Sequence, residues 1–380
     1  MKVDKKQLDF FLKKRKIEDK KSELYKRIIK NIDKTINDFK SEQKRKQRLS
    51  KINDLEEKRN LLDVLNKDQI SSLPDWIKKE KLENCFVMGS TNKTILTPSG
   101  KKYHLDNKLN DLTGGEWSYF LRSVINTRYG TKGDDSFAHE IRKIHPSPKP
   151  PQLMRDIVRF FTKKNELIFD YFMGVGGTLL GASLINRSAL GIDLSSKYIS
   201  AYKKASKKLK LKEQTTIKGD SLKLLEDGTE IKKFLKNKQF SLIAIDPPYG
   251  DMMSRKKTGE AIKKKQSTDS TPFTLNKKDL GNMEWSEFLR QFVKSIEFSM
   301  KYLKDRGHLV VFIKDLQPKE GKTNLLHAEI IEHLSSIQNL NYLGMKIWSD
   351  ESINLYPYGY PFSFVSNQLH QYIMFFRKKL

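Results

Sequence analysis

The sequence predicts an α/β protein, a doubly wound sheet with a basic helical N-terminal extension. Three observations carry this prediction. From Pro150 onward, short apolar runs of strand length alternate with amphipathic runs of helix length. A glycine-rich turn, Asp170-Tyr171-Phe172-Met173-Gly174-Val175-Gly176-Gly177-Thr178, follows the first of those strands and opens the next helix. Residues 1–80 contain no glycine, one proline, and 24 Lys and Arg against 15 Asp and Glu.

In chain order, residues 1–80 place apolar side chains at helical spacing, as in Leu8, Phe11 and Leu12 or Leu24, Ile28 and Ile32, which predicts long basic helices. Such a face serves DNA contact, partner binding or simple solvation. The break Ser71-Ser72-Leu73-Pro74 marks a boundary. Residues 81–140 read as an irregular region, a candidate for target recognition, with turns at Pro98-Ser99-Gly100 and Thr113-Gly114-Gly115 and short runs such as Thr94-Ile95-Leu96 that fit strands. Trp117, Tyr119, Phe120 and Arg122 cluster there, able to stack on a nucleic acid or to pack internally. Beyond Pro150 the strands are Leu167 to Phe169, Ala189 to Ile192, Thr215 to Lys218, Ser241 to Ile245 and Leu309 to Ile313, with Tyr342 to Trp348 and Tyr372 to Phe376 as a closing pair. Helices are expected at Thr178 to Ile185, Lys197 to Lys210 and Trp285 to Leu303. Residues 250–284, rich in Lys, Ser and Thr, read as a mobile basic loop.

Composition narrows the function. Lys and Arg number 73 against 46 Asp and Glu, a net charge of +27 over 380 residues. A polyanion, nucleic acid first, is the expected partner, because neutralising phosphates releases counterions. Cys85 is the single cysteine, so there is no disulfide framework or thiolate metal cluster, and the seven histidines show no paired ligand spacing. No metal is expected. The longest apolar run, Leu309 to Ile313, is too short for a bilayer and no signal peptide opens the chain, so the expected place is the cytoplasm with no membrane partner.

The chemistry concentrates where strands end. The glycines after Leu167 to Phe169 allow a tight turn and close approach of a ligand, although they do not spell a dinucleotide fingerprint. Asp193, 23 residues after Asp170, ends the second strand, where a carboxylate accepts from ribose hydroxyls. Asp220 lies at the same edge as a base acceptor or a helix N-cap. Asp246-Pro247-Pro248-Tyr249 ends the run Leu242 to Ile245. An aromatic exocyclic amine is a weak nucleophile because its lone pair is delocalised. A carboxylate and a backbone carbonyl that accept its two hydrogens favour a pyramidal nitrogen. Two prolines fix the turn without a competing N–H, and Tyr249 can stack on a flipped base.

These motifs resemble the DNA amino-methyltransferases that act on adenine N6 or cytosine N4. His145-Pro146-Ser147-Pro148-Lys149-Pro150 resembles the family's additional cofactor motif, and Tyr358-Gly359-Tyr360-Pro361 with His370-Gln371 resembles the tail of a bacterial subgroup. The resemblance implies a Rossmann-like methyltransferase domain at 141–380 with S-adenosylmethionine as cofactor and double-stranded DNA as partner, alone or with a restriction or specificity subunit. It further implies that Lys149 and Pro150 line the cofactor pocket, Phe172 packs near its adenine, Asp170 and Gly174 face its methionine part with Gly176 also binding the cofactor, Asp193 holds the ribose, and Asp246 and Tyr249 engage the target base. Tyr171 departs from the family's usual proline. Asp at the first motif position favours adenine N6. Cytosine N4, a guanine amino group in tRNA, and a catalytically idle DNA-binding subunit are the alternatives.

Overall fold

The computed structural model describes residues 58–89, 91–250, 273–315, 325–351 and 369–380. The expected helices of residues 1–57, most of the 250–284 loop, and the Tyr358-Gly359-Tyr360-Pro361 motif lie outside the described residues. Two compact units divide at Leu121/Arg122. The boundaries expected at 80 and 140 are therefore not where the chain divides.

In the first unit, β1 (Arg59–Asn60), β2 (Phe86–Met88), β3 (Thr94–Leu96) and β4 (Lys102–His104) form an antiparallel sheet in sequence order. Four short helices accompany it, α1 (Leu61–Val64), α2 (Lys67–Ser71), α3 (Asp75–Lys78) and α4 (Gly114–Phe120). Leu61, Leu73, Ile77, Cys85, Val87, Ile95 and Tyr103 make its core. Residues 81–121 are thus ordered structure, where an irregular region was expected. Trp117, Tyr119 and Phe120 lie on α4, which Thr113 and Glu116 close with a capping box. Residues 58–121 carry ten Lys and Arg against eight Asp and Glu, so almost none of the chain's positive excess resides here.

The second unit is built on an eight-stranded sheet ordered β5-β11-β12-β10-β9-β6-β7-β8, with β5 (Val124–Thr127), β6 (Leu167–Asp170), β7 (Ser188–Asp193), β8 (Thr215–Lys218), β9 (Phe240–Ile245), β10 (Leu303–Ile313), β11 (Leu340–Asp350) and β12 (His370–Lys378). Only β12 among these runs antiparallel, pairing with β10 and β11. Strand β9 is buried along all six residues, as a central parallel strand covered on both faces should be. The helices include α5 (His139–Arg142), α6 (Pro151–Phe161), α7 (Gly177–Ser183), α8 (Ser196–Lys208), α9 (Ser221–Asp227), α10 (Thr229–Leu235), α11 (Trp285–Met300) and α12 (Leu326–Ser335). The chain steps outward from β6 to β7 and β8, then returns to the other side of β6 at β9. This reversal opens a crevice beyond the carboxyl ends of β6 and β9, where open α/β sheets bind ligands. Among the described residues no helix is long and apolar enough to cross a membrane, and no group of His, Cys, Asp and Glu is placed to hold a metal ion.

Candidate active site

A cavity of about 530 Å³ fills that crevice, within the range of small-ligand sites. Lys149, Pro150, Phe172, Gly174, Asp193, Asp220 and Asp246-Pro247-Pro248-Tyr249 all line it. One cavity therefore collects ten of the twelve residues expected at the site.

The other two, Asp170 and Gly176, do not line it. Asp170 is buried beneath the glycine loop, where its carboxylate accepts from the Thr178 hydroxyl at 2.5 Å and from Phe172 N at 3.1 Å. Burial raises its pKa to about 7, against the opposing effect of those two donors. Gly176 has φ +76°, and a Cβ there would lie 2.2 Å from the Tyr202 ring. Both residues shape the loop from behind, a role that spacing cannot separate from ligand contact.

Asp193 ends β7 with Oδ2 accepting from Gly174 N at 2.8 Å and Oδ1 from Ser195 N at 2.7 Å. Burial lifts its pKa to about 7, the backbone donors pulling the other way. Asp220 caps α9 through Leu222 N at 3.1 Å while also facing the cavity, so both expected roles are compatible with its position. His145 lies 3.2 Å from the Cβ position of Gly174 and packs its ring on Tyr198 and Phe273, with centroids 4.8 and 5.1 Å away. Burial pushes its pKa down to about 4, so the imidazole is neutral at physiological pH.

The Asp246-Pro247-Pro248-Tyr249 motif carries an ion pair that no local pattern announces. Lys149 Nζ donates to Asp246 Oδ2 at 2.5 Å across 97 residues, and Tyr249 Oη donates to Asp246 Oδ1 at 2.8 Å. Lys149 is 8% exposed and Asp246 20%. The lysine is held from behind: Arg142, itself buried, donates to Lys149 O at 2.8 Å and to Phe137 O at 3.1 Å. Gly177 allows that backbone to come close, since a Cβ there would stand 2.7 Å from Lys149 O. Tyr249 is buried with its hydroxyl committed to Asp246, and burial raises its pKa well above the usual phenol value. Its hydroxyl orients the carboxylate, and the residue lines the cavity where stacking on a base was expected.

Residues outside the expected set complete the walls. Arg142, His145, Lys314, Trp348 and Gln371 line the cavity too. Lys314 directly follows β10, so the strand-end rule that picks out Asp246 also applies to it.

Doubly wound topology, a glycine loop and a strand-end acidic motif define a class I type of methyltransferase fold. The family model for DNA methylases of the N6/N4 type matches residues 3–204, more than half of the chain, and the chain belongs to that family. The chain is 33% identical over 105 residues to a tRNA (guanine(10)-N2)-dimethyltransferase of Pyrococcus abyssi, covering 28% of this chain and 30% of the relative. It is also 33% identical over 60 residues to the Type II methyltransferase M1.MboII of Moraxella bovis, covering 16% and 23%. The matches span 22 to 41% of the length of these and two further curated relatives. Among solved structures, TrmN from Thermus thermophilus has a TM-score of 0.40 at 12% identity, covering 64% of this chain and 53% of that one.

S-adenosylmethionine is the methyl donor that goes with this family, and the residues present fit it. The Asp193 carboxylate has lone pairs beyond the two that its backbone donors use. Asp220 supplies an acceptor at the same end. The neutral His145 adds no positive charge beside a cationic ligand.

Proposed function

We propose that this chain is an S-adenosylmethionine-dependent methyltransferase that modifies the exocyclic amino group of a flipped base in double-stranded DNA, with adenine N6 as the expected target and cytosine N4 next. The observation that carries this reading is the Asp246 carboxylate, oriented by Tyr249 and opening on the cavity that also contains Asp193. S-adenosylmethionine supplies an electrophilic methyl group. Asp246 Oδ2 accepts a hydrogen of the incoming amino group, a position that the Lys149 ammonium must share or yield. That hydrogen bond favours the pyramidal nitrogen whose lone pair is available. Tyr249 keeps Oδ1 occupied, so the carboxylate cannot rotate away. The backbone at Pro247 and Pro248 has no N–H to compete with the substrate donor. Residues 122–380 carry +17 of the net charge, in keeping with a phosphate backbone at the cavity mouth. Transfer to RNA is a second reading, favoured by the two relatives named as tRNA guanine methyltransferases. Incubating the protein with labelled S-adenosylmethionine and either duplex DNA or tRNA, then identifying the nucleoside by mass spectrometry, tests both. N6-methyladenine in DNA is expected, and label confined to tRNA overturns the DNA reading.

A pH dependence follows from Asp193. Its pKa in the folded protein is about 7, against roughly 3.9 for an unperturbed aspartate. The carboxylate form that accepts from ribose hydroxyls therefore gives way to the acid as pH falls through 7. The affinity for S-adenosylmethionine, measured by calorimetry, should be about three- to tenfold weaker at pH 6 than at pH 8. The Asp193→Asn variant should bind weakly and lose that slope. A native affinity flat across this range contradicts the assignment.

A further inference from the structure

The cavity continues past Asp246 into a half that the mechanism above does not use. Strand β12 begins there between the ends of two parallel strands. Gln371 is in register with Trp348 of β11, and the next residue, Tyr372, with Ile313 of β10, which places Lys314 alongside Gln371. Both Lys314 and Gln371 line the cavity. Gln371 Oε1 is buried and has no hydrogen-bond partner among the described residues, a costly condition for an amide oxygen unless a ligand completes it. Lys314 makes no hydrogen bond or ion pair with another described side chain. Burial, and after it the neighbouring Lys149, depress its pKa, while the carboxylate of Asp350 works against them.

Strands β9 and β12 are separated by β10 alone, and the register sets Asp246 level with Phe312 and Ile373, so Gln371 stands two strand spacings across and two residues along, roughly 11–12 Å away. That gap accepts one nucleobase with hydrogen bonds at both edges. Asp246 accepts and Lys314 only donates. Adenine and cytosine present a complementary pair, an amino donor beside a ring nitrogen that accepts. Guanine presents its amino group between an N–H and the acceptor N3, so Lys314 opposes only the orientation that sets the N–H against it. A carboxamide such as Gln371 carries both functions and can pair with a second edge position.

We infer that Lys314 and Gln371 are the residues that position the target base at this site, which admits a base whose amino group adjoins an unprotonated ring nitrogen. This rests on the amino-methyltransferase reading and deepens it. Lys314 orients the base through the ring nitrogen, and Gln371 closes the far edge with the amide oxygen that now lacks a partner.

The test uses the full chain and random-sequence duplexes made with either the natural target base or its deaza analogue, 1-deazaadenine or 3-deazacytosine, which lacks that ring nitrogen. Lys314→Met should lower kcat/KM on the natural base about 10- to 100-fold, with S-adenosylmethionine affinity and melting temperature unchanged. On the deaza base the same substitution should cost almost nothing, because the contact is already gone. Gln371→Leu should lower kcat/KM on natural duplexes while leaving cofactor affinity intact. An equal penalty from Lys314→Met on both duplexes, or none on either, overturns the role of Lys314, and native kinetics in Gln371→Leu overturns that of Gln371. If the variants behave otherwise while the native protein still methylates the amino group of a base, this inference falls alone. If it methylates no nucleic acid, the proposed function falls with it.

Discussion

Asp246→Asn should reduce kcat for methyl transfer by about 10²–10⁴-fold while leaving the S-adenosylmethionine affinity within about threefold of native. The substitution keeps the shape of the side chain and one acceptor oxygen. It removes the negative charge that favours a pyramidal, nucleophilic amino nitrogen, and it sets an amide N–H where an acceptor is needed. Asp246→Ala should be worse in a second respect. Both variants take the counter-charge 2.5 Å away from the Lys149 ammonium, 8% exposed, but Asp246→Ala also takes its acceptor oxygen, so thermal stability should drop further than in Asp246→Asn. Comparing the two variants separates chemistry from folding. Single-turnover transfer and thermal melts measured side by side give the answer, and an Asp246→Asn enzyme with native kcat removes Asp246 from the mechanism.

Gly176→Ala should have the largest effect on stability, about 2–4 kcal/mol. The residue sits at φ +76°, where a Cβ is strained by about 1 kcal/mol, and that Cβ falls 2.2 Å from the buried Tyr202 ring, an overpacking cost of about 1–3 kcal/mol. For a unit of this size the melting temperature should drop by about 5–15 °C. Since Gly176 does not line the cavity, cofactor affinity measured well below the melting transition should stay close to native. A variant that melts normally but binds S-adenosylmethionine weakly returns Gly176 to the ligand-contacting set.

Much of this was legible because strand ends concentrate chemistry. The run Leu242 to Ile245 is apolar without interruption, so its burial between two helical layers and the exposure of whatever follows are consequences of one pattern. The same holds for Asp193 after Ala189 to Ile192. The run Thr94 to Leu96 was legible as a strand and is β3, but β2 and β4 were not. Three residues are too few to display an alternation of period two, and the first unit reads as loop until its strands are paired. Strand β5 is hidden for the same reason, being four residues at the sheet edge. That Asp170 lies behind the loop and that the Tyr249 hydroxyl bonds Asp246 were not legible for a different cause. A residue type and its position in a loop do not say on which side of the backbone the side chain falls. The Lys149 and Asp246 pair, 97 residues apart, is a product of topology alone.

That pair has a thermodynamic consequence. Lys149 belongs to the segment that packs on the glycine loop through Gly177, while its ammonium reports to the catalytic carboxylate. A ligand that shifts the segment at one end changes the free energy of the ammonium at the other. By reciprocity of linked equilibria, whatever factor the methyl donor imposes on the affinity for the base, the base imposes on the affinity for the donor. The order in which the two ligands arrive can then differ from one condition to another, while the stability of the ternary complex does not depend on it.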